Sequence, residues 1–361
     1  MNKPLLIICI LLLGCIVTFS VVLIVKGGCM EKFKGDYSYA NVYRKLAPTQ
    51  LSPGNLASLA PGESGVSSAI SALQKRVNSY TPLPDGKDAD GNVIKHSDEV
   101  YLKVCCQLAL RAASIGNFGI GALIVDPLNK LKPHLEDATV VINGHETHYL
   151  SFVEKMLTSL GYKNPNSDSN LSKIVGIGLN QIFHSGFFGN DGKPHVRSDR
   201  HGEMVAMDLL EDAISTVPVE QAYQTRMPEG LELYTQLESC PMCMARLASS
   251  SISAVYHGAP DNGGGMVHKL CGLPPIFIGL TSVQTYAPAY ISGNIKGDKK
   301  NSLIQLCFES FGVNVATVGT KQNNRAYGCP GNCPEKDYCR PTTDPRMIKR
   351  MGYELSGFVY Y

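Results

Sequence analysis

Two short polar segments, each followed by apolar residues at helical spacing, constrain this chain more than any other feature. The first segment, DRHGE, covers residues 199–203, and the second, ESCPMC, covers residues 238–243. The apolar residues after each segment recur every three or four positions, which predicts a helix in both places. A strand-like run at 231–237 leads directly into the second segment. This order predicts an α/β unit in which both polar segments lie at helix N-termini.

Three side chains of these segments are suitable ligands for one metal ion. His201 offers an imidazole nitrogen, and Cys240 and Cys243 offer two thiolate sulfurs. Zn2+ favours this donor set in a tetrahedral shell. No fourth protein ligand is evident in the sequence, so the remaining position falls to water, which is the pattern of a catalytic site. Zinc lowers the pKa of a bound water to about 7 and so makes hydroxide available at neutral pH.

The residues beside these ligands fit the same chemistry. Glu203 lies two residues after His201, where a carboxylate can accept a proton from the water and pass it to a leaving group. Pro241 suits the first position of a helix, because its missing N–H is not needed there. Cys240 is therefore the expected N-cap, and Cys243 falls in the first turn. The partial positive charge of a helix N-terminus stabilises thiolates.

The ordered pair H-x-E and C-x-x-C resembles the signature of the zinc-dependent cytidine/deoxycytidylate deaminase superfamily, H-x-E followed by P-C-x-x-C. Ser239 stands where the family has a proline, which is not a ligand. The C-P-M-C form looks more like the guanine, cytosine and tRNA-adenosine deaminase branch. The resemblance implies hydrolytic deamination of a nucleobase or nucleoside, with zinc-bound hydroxide as nucleophile and Glu203 as proton shuttle. A lone C-x-x-C would equally fit a redox pair or half of a structural zinc site.

The resemblance also implies an α/β fold, a three-layer α/β/α sandwich with a mixed central sheet of about five strands. From residue 97 the sequence is similar to the opening of that fold, with a helical pattern from Ser97, its expected N-cap, to Gly116. A buried strand is predicted at 120–125, and further strands are predicted at 173–180 and 253–258.

The spacing of the first two strands indicates an insertion of about residues 127–172, because the family joins these strands by a short turn. Its pattern predicts a strand at 140–142 and a helix at about 150–160. Towards the end of the chain, the runs at 274–280 and 313–318 are candidate late strands, and residues 301–311 are predicted to form a helix.

Two further residues are candidates for substrate binding. In the family an Asn ends the second strand and hydrogen-bonds the substrate, and Asn180 matches that position. A turn-forming Asn is the alternative. Asp261 follows the strand predicted at 253–258, and loops at the carboxyl ends of strands in open α/β sheets line ligand clefts. A flexible loop without a ligand is the alternative for Asp261.

The charge balance argues against a polynucleotide substrate. The 33 basic and 31 acidic residues leave a net charge of +2, without the broad basic bias that nucleic-acid binding usually requires. The chain has no Trp, and its Tyr residues are scattered rather than grouped as stacking platforms. We therefore expect a small-molecule nucleobase or nucleoside as the substrate, and nucleic acid is not expected.

The N-terminus carries an apolar stretch without charge at residues 4–25. As a helix it would span about 33 Å, enough for a hydrocarbon core of about 30 Å. Residues 1–26 are therefore predicted to be a single membrane anchor; a cleaved signal peptide and lipidation at Cys15 are the alternatives. The basic residues after the stretch favour a cytoplasmic catalytic part, whereas its signal-like layout favours export. The side of the membrane stays open.

The remaining regions are defined by composition. Residues 27–96 are predicted to be a tether and N-terminal extension with a helix at about 64–80, residues 97–327 the catalytic domain, and residues 328–361 a cysteine-containing tail. Of the 12 cysteines, Cys105 and Cys106 fit packed core thiols. Five others have no assignment and could form disulfides, stay free thiols or bind a second zinc: Cys271, Cys307, Cys329, Cys333 and Cys339.

Two other functions stay open beside a small-molecule deaminase. One is an exported effector-type deaminase that acts on a macromolecule, and the other is a non-catalytic zinc-binding member of the fold. The family often forms dimers, so a homodimer is also open, although the sequence itself carries no oligomer signal.

Overall fold

A computed structural model describes ten stretches of the chain, namely residues 63–87, 91, 93–188, 197–217, 230–250, 252–261, 265–267, 275–281, 283–292 and 302–313. The predicted anchor at 1–26 and the tail at 328–361 lie outside the described residues. Within the described residues, no helix combines the length and the apolar character needed to cross a membrane.

The described residues form seven α-helices, three short 3-10 helices and nine strands. The helices are α1 (Glu63–Ser79), α2 (His96–Ser114), α3 (Tyr149–Ser159), α4 (Gly202–Ser215), α5 (Pro241–Ala248), α6 (Pro275–Thr281) and α7 (Leu303–Gly312). The strands are β1 (Gly86–Lys87), β2 (Val93–Ile94), β3 (Gly121–Val125), β4 (Thr139–Ile142), β5 (His145–His148), β6 (Ile174–Leu179), β7 (Glu232–Leu237), β8 (Ala254–Ala259) and β9 (Thr285–Pro288).

Five strands form the central sheet in the order β6-β3-β7-β8-β9. Strand β3 is antiparallel to both of its neighbours, whereas β7, β8 and β9 run parallel. Four of the five are the predicted strands or the run that leads into the cysteines. All four are almost completely buried, which explains why β3 and β6 appear as continuous apolar runs. The predicted mixed sheet of about five strands is confirmed.

Helices cover both faces of this sheet, and glycines show how closely they approach. A Cβ at Gly178 of β6 would lie 2.0 Å from the carbonyl oxygen of Gly202 at the start of α4. A Cβ at Gly121 of β3 would lie 2.5 Å from Leu108 of α2, on the other face. Helix α7 packs on α2 and β8, and α1 packs on α2 and α7. The expected three-layer sandwich is confirmed.

The insertion folds as a hairpin followed by a helix. Strands β4 and β5 pair antiparallel through a two-residue turn, in which Asn143 and Gly144 have φ of 53° and 84°. Asn-Gly favours this turn because both positions need positive φ. Helix α3 then packs on β6 with Phe152 and Met156 buried. The predicted strand at 140–142 and helix at about 150–160 are confirmed.

The predicted N-cap of α2 and one of the candidate late strands are wrong. Helix α2 begins at His96 with Lys95 as its N-cap and no side-chain cap bond, so Ser97 is not the N-cap. The run at 274–280 was expected to be a strand and instead contains α6, because a short apolar run cannot be assigned to helix or strand by periodicity alone. Strand β9 pairs with β8 and forms the edge of the sheet opposite β6. Most of the candidate strand at 313–318 lies outside the described residues. The helix predicted at 301–311 is confirmed as α7.

Candidate metal and active site

The three predicted metal ligands lie together at the N-termini of α4 and α5. His201 is the N-cap of α4 and Cys240 the N-cap of α5, where Pro241 occupies the first helical position as predicted. Cys240 Sγ lies 3.5 Å from His201 Nδ1 and 3.6 Å from Cys243 Sγ. The three ligand atoms all lie within 4.8 Å of one another, so one metal ion could contact all of them.

Backbone pairing holds the histidine end of this group beside the sheet. Gln181 N donates to Arg200 O at 2.8 Å, and Arg197 N donates to Ile182 O at 2.8 Å. These bonds join the segment that follows β6 to the residues immediately before His201. The close approach at Gly178 seats the first turn of α4 against β6, so the sheet fixes the position of this ligand.

An ion-pair network ties the two ligand-bearing helices to each other. Asp208 of α4 pairs with Arg200 at 2.5 Å and also with Arg246 of α5. Arg246 in turn pairs with Glu211 at 2.6 Å. The Arg and Asp side chains are about one quarter exposed, and a network of this kind restrains geometry more than isolated surface pairs do.

The electrostatics of the group favour a thiolate at Cys240. Its hydrogen bond with Cys243, and then its contact with His201, lower the pKa of Cys240 to about 4 although burial opposes this. The hydrogen bond with Cys240, together with burial, raises the pKa of Cys243. Burial would lower the pKa of His201, but the adjacent Cys240 raises it overall. One imidazole nitrogen and two cysteine sulfurs form a donor set that fits Zn2+, and a bound metal would hold both sulfurs as thiolates.

Glu203 lies in the first turn of α4 and is almost fully buried, with 2% of its surface exposed. Burial, and then the negative charge of Cys240, raise the pKa of its carboxyl group. The buried Ser239 hydroxyl beside it acts in the opposite direction. Within the described residues, neither Glu203 Oε2 nor Ser239 Oγ makes a well-formed hydrogen bond. A buried carboxylate with an open oxygen is suited to accept and release a proton.

Asn180 is fully buried immediately after β6. Its Oδ1 accepts a hydrogen bond from Ile182 N at 3.2 Å, whereas its Nδ2 has no partner among the described residues. A buried amide donor without a hydrogen-bond partner lowers the stability of the fold. The Asn180 amide is therefore suited to donate a hydrogen bond to an acceptor on a bound ligand. The substrate contact expected for Asn180 stays a prediction.

Asp261 contacts the cysteine segment through its backbone. Asp261 N donates to Glu238 Oε2 at 3.0 Å, and Gly265 N donates to Asp261 O at 2.8 Å. Met266 N donates to Ser239 O at 2.9 Å. The loop that begins at Asp261 is thus fastened to the cysteine segment, while the substrate contact expected of the Asp261 side chain stays a prediction.

One curated protein matches part of this chain. A stretch of 59 residues is 40% identical to the tRNA-specific adenosine deaminase of Agrobacterium fabrum, covering 16% of this chain and 38% of that protein. No family model matches the chain. This similarity agrees with the resemblance of the two motifs to the cytidine/deoxycytidylate deaminase superfamily. The match spans about two fifths of the relative's length.

Solved structures of the superfamily align with the chain at low identity. A tRNA:A34 deaminase is 18% identical, with 52% of this chain and 96% of that chain covered and a TM-score of 0.29. The dCMP deaminase of the cyanophage S-TIM5 is 15% identical, with 53% and 95% covered and a TM-score of 0.26. The guanine deaminase of Nitrosomonas europaea is 13% identical, with 66% and 91% covered and a TM-score of 0.30.

Two buried residues near the superfamily motifs were not singled out by the sequence. Asn117 Oδ1 accepts hydrogen bonds from Phe183 N at 2.8 Å and His184 N at 3.0 Å, and its Nδ2 donates to His184 O at 2.8 Å. Asn117 therefore braces the segment that follows Asn180. Glu238, 3% exposed, fastens the Asp261 loop. The sequence signal that could have identified Asn117 and Glu238 is the position of each polar residue close to one end of a strand.

Proposed function

We propose that this protein is a zinc-dependent hydrolytic deaminase that acts on the amino group of a nucleobase, free or as part of a nucleoside. The observation that carries the proposal is the buried group of His201, Cys240 and Cys243 with the open carboxylate oxygen of Glu203 beside it. The reaction consumes one water and converts a ring carbon that carries an amino group into a carbonyl, with release of ammonia.

His201, Cys240 and Cys243 would hold the metal. When bound, zinc supplies Lewis-acid activation that makes water a nucleophile at neutral pH. The position of Cys240 and Cys243 at the start of α5 supports this role, because the helix N-terminus stabilises the thiolate form that a metal ligand requires.

Glu203 would move the protons of the reaction. Its carboxylate accepts a proton from the attacking water, delivers it to the ring nitrogen and assists the departure of ammonia. A pKa raised by burial suits this work, because a general acid–base group functions best when its pKa lies near the working pH. Asn180 Nδ2 would donate to an acceptor on the base and orient the ring.

Ammonia release by the full chain in detergent, assayed with zinc content, tests the proposal. The panel contains purine and pyrimidine bases and their nucleosides. Glu203→Gln is expected to keep about one zinc per chain and to lose turnover by at least about 100-fold. Asp212→Asn, which changes an exposed carboxylate on the same helix outside the ion-pair network, is the matched control and is expected to retain turnover. Full activity in Glu203→Gln would refute the assigned role.

A polynucleotide substrate is a second candidate, favoured by the 59-residue match to a tRNA-specific adenosine deaminase. The nearly balanced charge of the chain speaks against it. A tRNA mixture therefore belongs in the same panel. Turnover of tRNA without turnover of any base or nucleoside would establish this candidate, and zinc without ammonia from any substrate would indicate a non-catalytic member.

We also propose that residues 1–26 attach the protein to a membrane. The support is the uncharged apolar stretch at residues 4–25, which is long enough to span a hydrocarbon core. Fractionation of cells that express the full chain, followed by protease treatment of intact vesicles, would test the attachment and identify the side. Recovery of the full-length chain in the soluble fraction would contradict it. The family resemblance alone leads us to expect a homodimer. Size-exclusion chromatography with light scattering would test this association.

A further inference from the structure

Two cysteines outside the metal group face each other in the core. Cys106 lies in α2 and Cys307 lies in α7, 201 positions later in the sequence. Their Sγ atoms are 3.4 Å apart, and both side chains are fully buried. Neither residue contributes to the group formed by His201, Cys240 and Cys243.

The surroundings select this pair over the neighbouring cysteine. Cys105 Sγ is directed to the carbonyl oxygen of Tyr234 at 3.4 Å. A Cβ at Gly258 of β8 would lie 2.5 Å from Cys307 Sγ, so the missing side chain makes the space that this sulfur occupies. Helix α7 packs directly on α2. The sulfurs of Cys106 and Cys307 are 3.4 Å apart, so they would have to approach by about 1.4 Å to reach bonding distance.

We propose that Cys106 and Cys307 are the site of an intramolecular disulfide that forms when the chain folds in an oxidising compartment. The bond would join α2 to α7 and close a loop that contains the whole candidate active site. The sequence assigns no partner to Cys307. In this proposal its partner is Cys106, which the sequence predicts to be a packed core thiol, and not a cysteine of the tail.

The step is a thiol–disulfide exchange with a low-molecular-weight disulfide such as oxidised glutathione. The thiolate of one cysteine attacks the reagent and releases one reduced thiol. The thiolate of the second cysteine then attacks the mixed disulfide and releases the other. Two protein thiols and one reagent disulfide thus give one protein disulfide and two reagent thiols, with atoms and electrons balanced.

Burial restricts when this exchange can occur. The two sulfurs are closed to solvent in the folded protein, and burial also raises the pKa of Cys307. Since the thiolate is the attacking species, exchange in the folded state is expected to be slow. It should proceed while α7 is undocked, either before folding is complete or during transient opening.

Refolding of the full chain with oxidised and reduced glutathione, compared with refolding in dithiothreitol, tests the proposal. After denaturation, alkylation and digestion without reductant, mass spectrometry is expected to find one peptide pair that links Cys106 to Cys307. The melting temperature of the oxidised protein should rise by about 10 °C, because the bond closes a loop of about 200 residues. Reduction should reverse the rise.

Three variants make the test specific. Cys106→Ala and Cys307→Ala should each abolish the redox-dependent rise in melting temperature, whereas Cys105→Ala, which removes a buried sulfur outside the pair, should retain it. If a variant fails to fold, the peptide map of the unaltered chain still decides. Alkylation of both thiols after oxidative refolding, or a link from Cys307 to any other cysteine, would overturn the proposal. Ammonia release is not part of this test, so its result is independent of the proposed function.

Discussion

The two ends of strand β7 both lie beside buried charged side chains, but they satisfy hydrogen bonds in opposite ways. At the first end, Tyr234 OH donates within a cluster of Asp98 and Glu232, with its oxygen 3.1 Å from each carboxylate. Asp98 Oδ2 also accepts from Tyr290 N at 2.9 Å. We call Asp98, Glu232 and Tyr234 the acidic–tyrosine cluster, and the contacts of Asp98 and Tyr234 are complete within the described residues.

The other end of β7 leads into the cysteine segment, where buried polar atoms stay open. Glu203 Oε2, Asn180 Nδ2 and Ser239 Oγ have no hydrogen-bond partner among the described residues. Each such atom costs roughly 1–3 kcal/mol. Burial alone therefore does not identify a site. Open buried atoms also occur elsewhere, such as the Tyr149 hydroxyl, so the feature that suits this end of β7 to a ligand is the grouping of open atoms beside the candidate metal ligands.

The largest expected effect follows from removing a ligand at the open end. Cys243→Ala deletes a buried sulfur of the candidate metal group, so bound zinc should fall from about one per chain towards zero. Ammonia release should fall by more than about 1,000-fold, because both the metal and its activation of water are lost. Cys105→Ala also deletes a buried sulfur and should retain zinc and turnover. Stoichiometric zinc in purified Cys243→Ala would mean that the three side chains do not form the metal site.

A smaller effect on turnover is expected from the open amide. Asn180→Ala should lower kcat/KM by about 10- to 100-fold, which corresponds to the loss of one buried hydrogen bond to the substrate. Its effect on thermal stability should be smaller than that of Asn117→Ala, because the only side-chain bond lost among the described residues is the one that Oδ1 accepts from Ile182 N. Steady-state kinetics and a melting curve of the same preparation measure both. Unchanged kinetics would remove Asn180 from the site.

The matched change at Asn117 should have the reverse signature. Asn117→Ala removes three hydrogen bonds between a fully buried amide and the backbone of Phe183 and His184. We expect the free energy of unfolding to fall by about 1–3 kcal/mol, measured by urea denaturation. Zinc stoichiometry should be unchanged. A loss of turnover without a loss of stability would place Asn117 among the substrate-contacting residues instead.

The smallest effect is expected at the acidic–tyrosine cluster, as a dependence of stability on pH. Burial raises the pKa of Asp98, so the folded state holds this proton more tightly than the unfolded state does. The stability from the protonated form is present below an unfolded pKa of about 3.9 and is lost as pH rises through the folded pKa. Glu232 shifts in the same direction, and Lys95 opposes the shift of both.

Asp98→Asn should therefore reduce the loss of stability that occurs as pH rises above about 4, as measured by urea midpoints at several pH values. Zinc content and ammonia release at a fixed pH should not change, because the cluster lies at the opposite end of β7 from the cysteine segment. An identical pH slope in the variant and the unaltered chain would show that Asp98 does not hold the proton.

The grouping of the three candidate metal ligands could be predicted because the sequence information for it is local. His201, Cys240 and Cys243 each lie at or within one turn of a helix N-terminus, and two short motifs are sufficient to define them. The buried strands were equally accessible, since a run such as Ile174–Leu179 is apolar along its whole length. Local patterns determine these features, and tertiary contacts do not change them.

Other features depend on contacts between distant parts of the chain. The bonds of Asn117 to Phe183 and His184 join residues more than 60 positions apart, and the pair of Cys106 and Cys307 spans 201 positions. Nothing in the neighbouring sequence specifies such partners. The strand expected at 274–280 was wrong for a related reason, because an apolar run of that length takes its conformation from its surroundings.

The network of Arg200, Asp208 and Arg246 bears on how the metal enters the protein. It joins the two ligand-bearing helices through side chains that are not themselves ligands, so the geometry of the group does not depend on the ion. Small zinc domains, by contrast, unfold when the metal is removed. A chelator should therefore remove bound zinc without unfolding the protein, and added zinc should restore activity without a refolding step. Such a centre can exchange its ion during the life of the protein, so its activity would follow the supply of zinc.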